Sequence, residues 1–391
     1  MIRVALLHNI ISPHVVPLFR RLAAQPDIKL KVYFLAETDL NRRWAGGIAE
    51  SFDFEVLPHR AIRVGRKDLH TFFINPTILR QLRHDGFDVV ISAGWDSFAA
   101  MAAFGLCKVL RRPFILWSGS TVNEPSWRRS LSLPLVKLIV RGSASWIAYG
   151  TRARDYLVRL GASPSRICIA YNTVDVERFQ VQADQLRRQR PALRDEIGFG
   201  AGPVFLYVGQ LIERKGALDL LAAHERIVER LPGAQLALVG YGPLESALRE
   251  RVASREIPGV IFAGHVKLED LPRYYAAADV FVLPSHEEVW GLVLNEAAAS
   301  GLPLVTTSVT GAAADVVVPG RNGHVVPACQ PEALAAALLD ALEHAPEMGA
   351  ASRDRISTMT YEQNVDAIVS QIRSTIGGLA PGEEDERPIA E

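Results

Sequence analysis

The chain of 391 residues has only three cysteines, Cys107, Cys168 and Cys329, odd in number and far apart. They suggest neither a disulfide framework nor a zinc site, and they fit a reducing cytosol. Net charge is absent too, since 43 basic residues balance 43 acidic ones. That removes any global electrostatic reason to expect nucleic acid or an acidic polymer as a partner. No apolar run approaches the roughly 20 residues of a spanning helix, which argues against an integral membrane protein. The N-terminus starts directly on an apolar strand at residues 2–7, without a basic n-region or a small-residue cleavage site. The expectation is therefore a cytoplasmic protein not exported by that route. Finally, no G-x-G-x-x-G follows the first strand, which weakens a nicotinamide or flavin reading because those glycines permit close approach to pyrophosphate.

What is present is an apolar fraction of 49%, enough for two domains each with its own core. Strand and helix patterns alternate through both halves, which predicts α/β architecture: two doubly wound parallel-sheet domains facing a cleft. Residues 1–180 read as the first domain and 201–355 as the second, joined by a charged linker with a short helix at 181–200. A helix at 356–376 and a Gly-, Pro- and acid-rich tail at 377–391, expected to be disordered, close the chain.

In the first half, Ser12-Pro13 is read as the N-cap and first-turn proline of a helix, so that His8, Asn9 and His14 crowd the mouth of the first strand-to-helix turn. Residues 38–47, with Arg42, Arg43 and Trp44, read as a solvated polar loop. Asp96 lies at the carboxyl end of the strand at 88–92, where it is a ligand-facing group or a helix N-cap. Ser118 follows the strand at 114–117. Residues 127–141 mix Arg128, Arg129, Lys137 and Arg141 with Leu131, Leu135, Leu138 and Ile139, interrupted early by Pro134. Such a segment docks on its own sheet or lies on an anionic membrane face.

The most informative stretch is late, DVFVLPSHEEVWGLVLNEAAASGLPLV at 279–305. An apolar strand ends at Ser285, an acidic loop of His286, Glu287, Glu288, Val289 and Trp290 follows, and Gly291 precedes a helix opening at Leu292 and stopping at Gly301. Ligands of open α/β sheets collect beyond the carboxyl ends of the strands, where helix N–H groups favour an anion. Glu296, about one turn into the helix, stands on the order of 10 Å from Glu288. The pair suits opposite ends of one elongated ligand, with Glu296 on neutral hydroxyls. Upstream, Lys215 lies beside Gly216 at another strand-to-helix turn, a compact positive charge where a diphosphate leaving group would need one.

Glu288 and Glu296, with seven residues between them, Trp-Gly after the first and Glu-Ala-x-Ala-x-Gly-x-Pro from the second, resemble the E-x7-E signature of retaining family 4 glycosyltransferases. Residues 209–216 resemble that family's G-R-L-x-x-x-K-G segment, and Gly240-Tyr241-Gly242-Pro243 its G-x-G-P turn. Asn172, Asp175 and Phe179 resemble its N-x-x-D-x-x-x-F segment, while Gly311, Asp315, Gly320 and Asn322-Gly323 resemble a later glycine-rich one. The resemblance implies the GT-B arrangement of two Rossmann-like domains, with the last helix crossing back to the first. It implies transfer of a sugar from a UDP- or GDP-linked donor to a small-molecule or glycolipid hydroxyl acceptor, with retention, in glycan, glycolipid or natural-product synthesis. No D-x-D motif is present, in keeping with a family that needs no metal or other cofactor. By resemblance Lys215 and Glu288 are the catalytic residues, and Glu296 holds the ribose. The donor set is completed by Gly209, Gln210, Arg214, Gly240, Tyr241, Gly242, Ser285, Val289, Trp290, Gly291 and Leu292. His8, Asn9, His14, Asp96 and Ser118 face the acceptor. Two departures stand out. Gln210 replaces the usual arginine, and no histidine follows Ser118 where many relatives carry one. Alternative readings are a nucleotide-sugar epimerase or hydrolase on the same fold, and a non-catalytic nucleotide-binding partner.

Overall fold

The structure, a computed structural model, describes residues 1–38, 52–64, 70–123 and 127–378. The loop with Arg42, Arg43 and Trp44, and the tail beyond residue 378, lie outside the described residues, as do the side chains of Arg128, Arg129 and Leu131. Two compact units emerge, Met1–Tyr171 with Tyr361–Glu391, and Asn172–Thr360.

The first unit runs β1 (Ile2–Ile10), α1 (Val16–Ala23), β2 (Ile28–Ala36), β3 (Asp53–Val56), β4 (Arg60–Val64), β5 (His70–Ile74), α2 (Ile78–Asp85), β6 (Val89–Ala93), α3 (Phe98–Leu110), β7 (Phe114–Ser118), α4 (Trp127–Gly142), β8 (Ser145–Ala148), α5 (Thr151–Leu160) and β9 (Ile167–Ile169). Seven of these strands form one sheet in the order β3-β2-β1-β6-β7-β8-β9, every pair parallel. Parallel strands covered on both faces need unbroken apolar runs, and residues 4–7, 89–91 and 114–117 supply them. Two apolar clusters result, one including Leu7, Val90 and Leu116, the other Leu6, Ile91 and Ile115, as the alternation of side chains across a strand requires.

The second unit runs α6 (Val176–Arg187), α7 (Arg190–Ile197), β10 (Val204–Val208), α8 (Ala217–Arg230), β11 (Gln235–Val239), α9 (Glu245–Ser254), β12 (Val260–Gly264), α10 (Leu271–Ala277), β13 (Val280–Leu283), α11 (Leu292–Ala299), β14 (Leu304–Thr307), α12 (Ala313–Val316), β15 (Gly323–Val326), α13 (Pro331–Glu343) and α14 (Ala345–Ile356). Its six strands are all parallel, in the order β12-β11-β10-β13-β14-β15. A last helix, α15 (Tyr361–Gly377), buries Tyr361, Val365, Ile368 and Ile372 against the β1 and β2 side of the first unit. Its Tyr361 hydroxyl donates to the His14 carbonyl at 2.9 Å.

Several local expectations are corrected. α1 starts at Val16 and not at Pro13, because the Ser12 carbonyl accepts from both Val15 and Val16 in a turn that precedes the helix, leaving Pro17 as the first-turn proline. The N-cap of α3 is Ser97, whose Oγ accepts from Ala100 N at 3.1 Å, so capping does not account for Asp96. α4 runs through Pro134 without a break. The antiparallel pair β4-β5 and the edge strand β15 had no clear period in sequence. Residues 181–200 are mostly helical, and Arg190 and Arg194 of α7 both reach Asp279 at 2.6 Å, just before β13. Asp279 also accepts from Val204 N at 2.8 Å, which ties the starts of β10 and β13 together.

Candidate functional site

Strand order decides where a ligand belongs in the second unit. β10 lies between β11 and β13, so the chain winds outward one way from β10 and the other way from β13. The loops leaving these two strands therefore diverge to opposite faces and open a crevice at their carboxyl ends. Lys215 leaves β10 and Glu288 leaves β13. The structure joins them: Lys215 Nζ donates to Glu288 Oε2 in an ion pair whose side chains are only 14% and 12% exposed.

Backbone bonds hold the two loops in place. His286 N and Glu287 N donate to the Arg214 carbonyl at 2.8 and 3.2 Å, and Gly311 N donates to the Glu288 carbonyl at 3.0 Å. The neighbouring β11 loop is tied in as Leu211 N reaches Tyr241 O at 2.9 Å and Leu244 N reaches Leu211 O at 3.0 Å. Gly216, after Lys215, adopts a left-handed φ of 69°, and a Cβ there would sit 2.0 Å from the Pro284 carbonyl. Only glycine lets the two loops approach this closely. The fully buried Tyr207 donates to the Gln210 carbonyl at 2.7 Å, and a Cβ on Gly209 would lie 2.9 Å from that hydroxyl. Burial first, then the Glu288 charge, raise the Tyr207 phenol pKa, and Arg214 opposes them.

Glu296 occupies the second turn of α11, whose first turn follows Gly291 at the mouth of the same crevice. It is 2% exposed, and Oε2 accepts from the Tyr275 hydroxyl at 2.6 Å. Burial pushes its carboxyl up to about 7, against the Tyr275 hydrogen bond and the charge of Arg178, which both lower it. A carboxyl so placed can accept from a hydroxyl or donate to one near neutral pH. Tyr275 itself packs between Phe179, at 5.9 Å between ring centroids, and Phe281, at 5.8 Å. Asp175, read as part of a family segment, caps α6 by accepting from Arg178 N at 3.1 Å, which sets Arg178 and Phe179 on the Glu296 side.

The other predicted residues divide into two groups. Trp290 is buried, its indole N–H donating to Asn295 at 3.0 Å and its carbonyl accepting from Ala312 N at 3.0 Å, so it fixes the start of α11. Ser285 is fully buried, and its Oγ has no hydrogen-bond partner among the described residues. Val289 is 39% exposed at the loop tip, and Gly291 and Leu292 open α11, where helix N–H groups lack intrahelical partners. Gly240, Tyr241 and Gly242 form the β11 exit, with Tyr241 against His265 at 5.4 Å. In the first unit the switch point falls between β1 and β6, and exposed Asn9 and Asp96 sit at the carboxyl ends of those strands. His8 instead turns Nδ1 to the Ile10 carbonyl at 3.1 Å and packs edge-on to Phe19 and Phe34. Ser118 is buried, its Oγ accepting from Ser120 N at 3.2 Å. Sequence reasoning missed Tyr275 and Asn295, since an aromatic and an amide inside apolar helices carry no signal of the acid or indole they hold.

Comparison with known proteins decides the family. Residues 202–344 match the model described as glycosyl transferases group 1, and residues 14–178 match glycosyltransferase family 4, so both units are covered. The chain belongs to the family 4 glycosyltransferases. A GDP-mannose-dependent alpha-(1-6)-phosphatidylinositol monomannoside mannosyltransferase of Mycolicibacterium smegmatis is 32% identical over 191 residues, 46% of this chain and 49% of the relative. A glycogen synthase of Mycobacterium tuberculosis is 32% identical over 243 residues, 60% of this chain and 55% of the relative. The chain thus spans about half the length of the curated relatives it matches. Among solved structures, Anabaena Alr3699/HepE in complex with UDP shares the fold with a TM-score of 0.75 at 17% identity, over 96% of this chain and 100% of that one. The two parallel-sheet units are accordingly those of the GT-B fold.

Proposed function

We propose that this glycosyltransferase moves a sugar from a UDP- or GDP-linked donor to a hydroxyl acceptor, with retention at the anomeric carbon and without a metal in the transfer step. The observation that carries the reading is the Lys215–Glu288 pair at the switch point of the second sheet. A diphosphate arriving there competes for Lys215, and a phosphate oxygen replaces Glu288 on the ammonium. Glu288 is then released toward the sugar hydroxyls. Lys215, Arg214 and the start of α11 together supply the positive potential that a leaving diphosphate needs. Glu296, partly protonated near neutral pH, takes the ribose diol. In the first unit, Asn9 and Asp96 are the polar groups we assign to the acceptor. The departing phosphate itself receives the acceptor's proton on the donor's front face, so Glu288 need not act as a nucleophile.

Support for this donor class comes from the relatives, which include one named as GDP-mannose-dependent, and from a neighbour of the same fold crystallised with UDP. Turnover of a panel of UDP- and GDP-sugars with glycoside and glycolipid acceptors tests it. One donor should yield a glycosylated product whose anomeric proton shows the donor's configuration. Free sugar or an epimer formed without acceptor would replace transfer by hydrolysis or epimerisation.

Gln210 favours a second reading. An amide donates hydrogen bonds but brings no charge, so the leaving group has one cation fewer than the family pattern provides. A protein that binds the donor with no turnover across the whole panel, unchanged by Glu288→Gln, would be a non-catalytic nucleotide-binding partner.

We also propose a peripheral contact with anionic membrane. No described helix is long and apolar enough to cross a membrane. On α4, however, Leu135 and Leu138 are 44% and 61% exposed, and at the end of α3 Val109 is 77% exposed. Lys108, Lys137 and Arg141 line a groove together with Leu138. Exposed leucines framed by cations fit the boundary of an anionic bilayer.

A further inference from the structure

One cluster beside the proposed donor site is used by none of the steps above. Asp219 is in the first turn of α8, His286 in the loop after β13, and Cys329 in the turn between β15 and α13. Their donor atoms, a carboxylate oxygen, an imidazole nitrogen and a thiol sulfur, all lie within 4.8 Å of one another. His286 Nε2 is 2.7 Å from Asp219 Oδ2. The three residues follow three different strands, β10, β13 and β15, beyond the carboxyl end of the sheet, so their convergence is tertiary and not a product of short spacing in sequence.

We infer that Asp219, His286 and Cys329 form a binding site for a soft or borderline divalent cation, best matched by zinc. The donor set is the reason. Imidazole with thiolate selects zinc over magnesium or calcium, which prefer oxygen alone. Zinc bonds of about 2.0–2.1 Å to nitrogen or oxygen and about 2.3 Å to sulfur, arranged tetrahedrally, place the donor atoms about 3.3–3.6 Å apart. The Asp219–His286 pair needs to open by roughly half an ångström and the sulfur to close by no more than about 1.5 Å, shifts that side-chain torsions provide. Binding releases the thiol proton to solvent, and the aspartate and thiolate charges then neutralise the ion. Three protein ligands leave a fourth position open for water or an exchangeable ligand.

Two further observations agree. Cys329 is exposed and held at a φ of 60°, a left-handed backbone that residues other than glycine, asparagine and aspartate seldom adopt. Neither buried Cys107, whose thiol is pushed up to about 12, nor Cys168, likewise pushed up to about 12, shares these features. His286 is also two residues from Glu288, and Asp219 four residues from Lys215. An ion at this site would pin the two loops that bear the proposed donor pair. The site stands whether or not the donor reading holds, because its ligands are not members of that pair.

The test uses the full-length protein, stripped with chelator, and zinc or cobalt ions alone. Zinc should bind with a stoichiometry of one in calorimetry, and cobalt should give a thiolate-to-metal charge-transfer band. Cys329→Ser should abolish the band and weaken zinc binding at least tenfold, and His286→Gln should weaken it similarly. Circular dichroism matching the parent verifies that these variants fold. No zinc uptake at micromolar concentration, a cobalt complex without the band, or less than tenfold loss in Cys329→Ser overturns the site.

Discussion

Replacing Glu296 by glutamine isolates the buried acid. Its carboxyl ionises near 7 in the folded protein against an ordinary 4.5. The folded state therefore binds more protons than the unfolded state between those values, and stability falls as pH rises through that window. The span from 4.5 to about 7, at about 1.36 kcal/mol per pH unit, is worth about 3 kcal/mol. Because the side chain is only 2% exposed, solvent screening does not reduce that figure much. Glutamine keeps an oxygen to accept the Tyr275 hydroxyl at the same place but cannot ionise. Urea denaturation of parent and Glu296→Gln, compared at pH 4.5 and pH 8, subtracts every other titrating group. The variant should gain about 3 kcal/mol on the parent between the two pH values, with the change centred between 5 and 7. Parallel pH profiles would refute the claim that this carboxyl is held partly neutral by burial.

Lys215→Met removes the cation from a pair that is mostly buried. Affinity for a nucleoside diphosphate should fall about 10- to 100-fold while that for the monophosphate changes little, as titration calorimetry would show. Gly216→Ala places a Cβ against the Pro284 carbonyl at a left-handed φ, so a loss of about 2 kcal/mol or more is expected in thermal denaturation. Leu138→Asp should reduce co-sedimentation with phosphatidylserine vesicles but leave the melting temperature unchanged, since that side chain is 61% exposed.

The sheets were legible because buried parallel strands must be apolar without interruption, and Val204–Val208, Gln235–Val239 and Val280–Leu283 are nearly so. The Lys215 turn and the Glu288 loop were legible because glycine, charge and the end of a strand coincide there. What sequence could not give was pairing across the chain. Nothing local says that the Glu288 carboxylate rests on Lys215 73 residues away, or that Tyr275 holds Glu296. Caps were misread for the same reason. Ser12 looks like an N-cap beside a proline, yet its backbone carbonyl, not its side chain, makes the turn. The cluster of Asp219, His286 and Cys329 was invisible because its members lie on three elements that only the fold assembles.

On nucleotide binding, Lys215 should pass from Glu288 to a diphosphate. A crystal structure of the protein with UDP or GDP tests it most directly. Lys215 Nζ should rest on a phosphate oxygen, the Glu288 carboxylate should be released from it, and the ribose should lie within hydrogen-bond reach of Glu296. A nucleotide bound with the Lys215–Glu288 pair intact and its phosphates elsewhere would contradict it.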